Sequence, residues 1–102
     1  QLLNFKEILM PKAKLIIRNR YEFQDGGIVE IRLWKTMPGK DKPHGFKYSL
    51  TYIVNGKRIV GYDNAEGKGD HRHFDSKEET YEFHGIDKLI DDFQSDVRRA
   101  RR

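Results

Sequence analysis

Four residues in immediate succession, Asp70, His71, Arg72 and His73, put a carboxylate, two imidazoles and a guanidinium on one short segment. Histidine titrates close to neutrality, so it can take and give a proton under cellular conditions. On an extended backbone, residues two apart point to the same side. His71 and His73 would then share one substrate while Arg72 points away. Cleaving RNA through its own 2′-hydroxyl needs a base for that proton, an acid for the leaving 5′-oxygen and positive charge on the crowded phosphate. The charge could come from Arg72, Lys68, Lys57 or Arg58, and Tyr62 and Asp63 enter the same segment from its N-terminal side. The expected site is therefore Asp70, His71, Arg72 and His73 as the catalytic group, with Lys57, Arg58, Tyr62, Asp63 and Lys68 as substrate contacts. No cofactor is needed.

The bland alternative is that a hydrophilic loop contains two histidines by chance. Gly67-Lys68-Gly69 just before them argues otherwise, because it concentrates phosphate-type donors beside titratable groups. That triplet lacks the Ser/Thr and the helix of a nucleoside-triphosphate loop. A metal shell of Asp63, Asp70, His71 and His73 is the rival chemistry. It is the weaker one, since adjacent ligands such as Asp70 and His71 seldom converge on one ion without strain. His44 and His84 have no evident partner and read as structural or solvent-facing, and Asn64 reads as turn chemistry. Trp34, Tyr48 and Tyr52 could stack on bases, though aromatics at alternate strand positions more often pack a core.

Apolar and basic residues alternate from Ala13 to Arg18, which predicts a half-buried first strand with Ala13, Leu15 and Ile17 on one face. Gln24-Asp25-Gly26-Gly27 predicts a turn, and Val29, Ile31 and Leu33 line a second strand. A third strand runs from Phe46 to Val54. Asn55-Gly56 predicts a two-residue type I′ turn, since both positions tolerate positive φ. That turn would set Tyr52 against Ile59, Leu50 against Gly61, Ile53 against Arg58 and Ser49 against Tyr62, with a fourth strand from Lys57 to Tyr62. The site then begins as a loop. Phe74 to Thr80 reads as a further loop and Tyr81-Glu82-Phe83 as a short edge strand. From Ile86, apolar residues at Ile86, Leu89, Ile90, Phe93 and Val97 predict a helix. The expected class is α+β, a meandering antiparallel sheet packed by a C-terminal helix.

At 102 residues the chain reads as one domain, with a core over 11–98, residues 1–9 as an extension and Met10-Pro11 as an internal start. The absence of cysteine excludes a disulfide scaffold, a thiolate zinc site and a cysteine nucleophile, and fits the cytoplasm. No apolar run has the length of a membrane helix. The net charge of +4 is uneven, being concentrated in Lys12 to Arg20 and Arg98 to Arg102, and it points to nucleic acid or an acidic protein partner.

The chain also resembles the TumE-type toxins of bacterial type II toxin–antitoxin systems, formerly a domain of unknown function. The resemblance is carried by K-A-K-L-I-I-R at Lys12 to Arg18, D-G-G-I-V-E at Asp25 to Glu30, F-K-Y-S-L around Tyr48, V-N-G-K-R-I-V-G-Y-D-N from Val54 to Asn64, G-K-G-D-H-R-H from Gly67 to His73, and the helix through Leu89 and Phe93. It covers nearly everything after Met10, with no counterpart for Gln1 to Leu9 and a short loop from Pro38 to Pro43. The resemblance implies a ribonuclease toxin held inactive by a helix-turn-helix antitoxin. Apart from the resemblance, a homodimer is a further candidate assembly. The competing class is a non-enzymatic basic module that sequesters RNA or a protein.

Overall fold

The computed structural model describes residues 13–65 and 67–102, so the expected N-terminal extension 1–9 and the start at Met10-Pro11 lie outside the described residues. Among the described residues six strands follow in chain order: β1 (Lys14–Glu22), β2 (Ile28–Lys35), β3 (Phe46–Val54), β4 (Lys57–Asp63), β5 (His71–Phe74) and β6 (Lys77–Thr80). Each pairs antiparallel with the next to make one sheet in the order β1-β2-β3-β4-β5-β6. The helix α1 (Ile86–Ala100) packs against β4. The α+β meander with a C-terminal helix is as the sequence predicts.

The turns are made where the chain tolerates positive φ. Asn55 and Gly56, at 51° and 75°, join β3 to β4 as a type I′ hairpin. Asp75 and Ser76, at 47° and 70°, do the same between β5 and β6. That second hairpin corrects the expected loop over Phe74 to Thr80, while the expected strand Tyr81 to Phe83 carries no regular structure. The misreading has a physical cause. Lys77-Glu78-Glu79-Thr80 has no apolar alternation because β6 is an exposed edge that buries neither face.

Two bulges set which residues face which way. Between Tyr52 and Ile53 the ladder shifts, so Ile53 faces Arg58 as expected, but Tyr52 faces Val60, Leu50 faces Tyr62 and Ser49 faces Asp63. One extra residue in β4 sends every later side chain to the opposite face from the simple hairpin register. Val60 and Tyr62 are thereby turned inward, 0% and 2% exposed. A similar shift between Leu15 and Ile17 leaves Leu15 opposite Trp34 and Ile17 opposite Leu33. The expected shared face of Leu15 and Ile17 is thus split, and β1 is exposed almost throughout.

The inner face of the sheet, with Leu33, Tyr48, Leu50, Tyr52, Val60 and Tyr62, meets Leu89, Phe93 and Val97 of α1. These helix positions are four residues apart, so they form one stripe. Removing Phe93 down to alanine would cost roughly 3–5 kcal/mol. Asp87 in the first turn and Arg98 and Arg99 in the last suit the helix dipole. No helix among the described residues is long and apolar enough to cross a membrane.

Candidate functional site

On the outer face, away from α1, the ladder aligns side chains in rows. Ser49 faces Asp63, Asp63 faces His71 and His71 faces Thr80 in one row, while Thr51, Gly61, His73 and Glu78 make the next. His71 and His73 therefore share a face, as their spacing predicts, but they do so from a strand and not from a loop. The Nε2 of His71 donates to the carbonyl oxygen of Lys68. A carbonyl can only accept, so in the neutral ring the lone pair is on Nδ1. That Nδ1 is buried without a hydrogen-bond partner, as is Nδ1 of His73. The acid beside His71 Nδ1 is Glu78, at 3.8 Å.

Leaving a buried polar atom unpaired costs roughly 1–3 kcal/mol, so such atoms are rare and tend to mark a site that does something besides fold. Arg58 adds charge to this face. Its guanidinium lies 3.6 Å from Asp63, and its stem crosses Gly61, where an added Cβ would come within 2.9 Å of Arg58 Cδ. The missing side chain is what lets Arg58 lie flat beside the His73 row. A depression of about 430 Å³ is lined by Trp34, Lys47, Ser49, Arg58, Asp63 and Lys68, among others. Lys68 and Glu78 also line the neighbouring depression beside His71.

The structure does not bring Arg72, Tyr62 and Asp70 to the histidines. Arg72 points to the helix side, where Nε and Nη2 hold the two oxygens of Asp96 at 2.7 and 3.0 Å and Nη1 holds Glu79 at 2.6 Å. The Tyr62 hydroxyl donates to Asp96 at 2.7 Å, and Arg99 adds a bond of 2.8 Å. Burial alone would raise the Asp96 carboxyl, but the hydrogen bonds from Arg72, Tyr62 and Arg99 outweigh it and hold the group below the usual carboxylate range. Burial, together with the bond to Asp96, pushes the Tyr62 phenol well above its ordinary value. These groups tie β4 and β5 to α1.

Asp70, just ahead of β5, accepts the Tyr48 hydroxyl at 2.6 Å and His44 Nε2 at 2.9 Å. His44 takes the Phe46 N–H on Nδ1 at 3.1 Å and stacks on Phe83 with ring centres 4.0 Å apart. His44 thus has the partner that the sequence did not reveal, and His84 lies 3.2 Å from Glu82. Asn64 is buried, accepting the Tyr48 N–H at 3.0 Å and donating to the Phe46 carbonyl at 2.7 Å. It continues the ladder past the end of β4 and pins the start of the segment that delivers Lys68 and His71. Lys57 is at the hairpin tip opposite Val54, the far end of β4 from Asp63. Among the described residues no three His, Cys, Asp or Glu side chains gather as a metal shell. The set Asp63, Asp70, His71 and His73 is divided because Asp70 is engaged with His44 and Tyr48.

Asp96 was missed in the sequence, although a signal was there: an acid on the Leu89, Phe93 and Val97 stripe must be buried with a partner.

The family model described as Toxin TumE matches residues 4–101. The chain belongs to the TumE toxin family. The match takes in residues 4–9, so the family region begins earlier than the expected limit near Met10. No curated protein and no solved structure matches the chain. TumE membership makes a toxin role the known part of its function, and a toxin of such a system is paired in general with an antitoxin.

Proposed function

We propose that this TumE-family chain is an endoribonuclease whose acid and base are His71 and His73. The observation that carries the reading is the pair of same-face imidazoles with unpartnered Nδ1 atoms, flanked by Arg58 and Lys68. One imidazole takes the proton of the 2′-hydroxyl as that oxygen attacks phosphorus, and the other gives a proton to the departing 5′-oxygen. The products end in a 2′,3′-cyclic phosphate, which water opens to a 3′-phosphate. His71 suits the base, because the Lys68 carbonyl fixes its Nε2–H and leaves Nδ1 basic. Glu78, an exposed side chain on the edge strand, is the group that substrate has to displace there. Arg58 and Lys68 stabilise the developing charge on the phosphate. Asp70 and Arg72 serve the fold in this reading: Asp70 ties the segment before β5 to Tyr48 and His44, and Arg72, between the two histidines, ties β5 to Asp96 of α1. The cytoplasm is the compartment where such an activity meets RNA, and a helix-turn-helix antitoxin that covers the histidine face would silence it.

The test is incubation of labelled RNA in excess over protein, with and without EDTA. Multiple turnover that survives chelation, with cyclic-phosphate ends, supports the mechanism. Activity lost to EDTA and restored by a divalent cation would replace it with metal-dependent cleavage. Stoichiometric saturation without cleavage would identify a sequestering module.

A further inference from the structure

The strand β2 alternates strictly at its end: Leu33 faces the core at 2% exposure, while Trp34 faces the other way. Tyr48 and Tyr52, the other aromatics considered for stacking, are buried in the core. Trp34, the single tryptophan of the chain, is half-buried on the histidine face instead. No described helix or strand covers that face. Its cross-strand neighbours are Leu15 on one side, 46% exposed, and Lys47 on the other. The Lys47 ammonium lies over the indole ring, 5.3 Å from its centre. Trp34 and Lys47 both line the depression of about 430 Å³, where Arg58 and Lys68 bring further positive charge and Asp63 and Glu78 the two carboxylates. Lys68 and Glu78 continue that surface to His71.

We infer that Trp34, with Lys47 beside it, is a stacking subsite for an unpaired base, so that the chain takes single-stranded RNA. The inference rests on the ribonuclease reading of the adjacent histidines and specifies its substrate class. An indole face recognises the π-face of a base, which a duplex hides between neighbouring base pairs. The lysine over the ring moves off its face as the base arrives and then meets the phosphate that accompanies that base. From β2 to β5 is three strand spacings, about 14 Å. A base on Trp34 would therefore belong to a nucleotide close to, but not at, the one cleaved. Base identity would be read weakly, because every base has a π-face.

Because Trp34 is the only indole, its fluorescence reports the subsite directly, and an inactive variant separates binding from cleavage. The protein carrying both His71→Ala and His73→Ala is titrated with a fluorescently labelled single-stranded oligoribonucleotide and, separately, with its blunt duplex. Indole emission and label anisotropy are followed together. The single strand is expected to quench Trp34 saturably and the duplex to leave the emission unchanged. Trp34→Ala in the same background should weaken single-strand binding roughly ten- to hundred-fold, and Trp34→Phe should recover part of the loss. Binding by anisotropy without quenching, equal quenching by the duplex, undiminished binding by Trp34→Ala in a normally folded protein, or no binding at all would each overturn the proposal. Loss of cleavage in the wild type with quenching retained would instead overturn the ribonuclease reading and leave the subsite standing.

Discussion

The two faces of the sheet differ in how their polar groups are satisfied. Toward α1, Asp96 takes bonds from Arg72, Tyr62 and Arg99, and Asp70 takes bonds from Tyr48 and His44. On the other face, two imidazole nitrogens are buried and unpaired, and Arg58 stands 3.6 Å from its carboxylate. The same strand, β5, supplies both: Arg72 goes to the satisfied side, His71 and His73 to the unsatisfied one. Satisfied polar groups hold a fold in place, while unsatisfied ones hold free energy that a bound substrate can release. The contrast teaches that adjacency in the sequence is a poor guide to a shared site on a strand, where neighbours face apart.

The largest expected effect breaks the comparison from the unsatisfied side. His71→Ala and His73→Ala should each lower turnover by roughly 10²–10⁴-fold. Their thermal midpoints should stay near that of the wild type, since each substitution removes an unpaired buried nitrogen, with a slightly larger drop in His71→Ala, which also loses the bond to the Lys68 carbonyl. Cleavage kinetics beside thermal melts check this, and wild-type activity in both variants would remove the histidines from the chemistry.

Arg72→Ala should do the reverse. Removing one partner of a buried ion pair costs roughly 3–5 kcal/mol, and less here because the Arg72 side chain keeps 22% exposure. Denaturant midpoints should fall while the activity per folded molecule is largely kept. A stable but inactive Arg72→Ala would put the guanidinium back on the phosphate.

Acid should act next, through Asp96. Its folded carboxyl titrates below the ordinary value of 3.8, so its stabilisation is fully present above the unfolded pKa and is lost as pH falls through the folded one. Melting temperature should decline below about pH 4, and Asp96→Asn should be less stable at neutral pH and flatter across that acid range. An unchanged acid slope in Asp96→Asn would show that other carboxylates govern it.

The smallest effect sharpens the boundary between the faces. Gly61→Ala meets a flexible Arg58 stem and no backbone, so stability should change by less than about 1 kcal/mol. Activity should fall in step with Arg58→Ala, because the new methyl group displaces the same guanidinium. Full activity in both variants would take Arg58 out of the site.

Much of the fold was legible. Asn55-Gly56 has its turn because so few residue pairs accept positive φ twice, and the Leu89, Phe93 and Val97 stripe has its helix because period 3.6 leaves no other way to bury it. The strand β6 was not legible, since four polar residues on an exposed edge carry no burial pattern. His44 and Asp70 lie 26 positions apart and meet only because the β2–β3 connection folds back beside the segment preceding β5.

By itself the sequence determined the meander from β1 to β4, the closing helix and the two-residue spacing that gives His71 and His73 one face of a strand, all of which follow from local periodicity and turn chemistry. Tertiary structure alone decided which face that would be. The bulge between Tyr52 and Ile53 adds one residue to β4, and with period two a single residue reverses every side chain beyond it. Burial of Val60 and Tyr62 against Phe93 is the long-range interaction that favours this register. Gly61 and Asp63 are thereby turned outward to meet the histidines, and Tyr62 and Arg72 inward to meet Asp96.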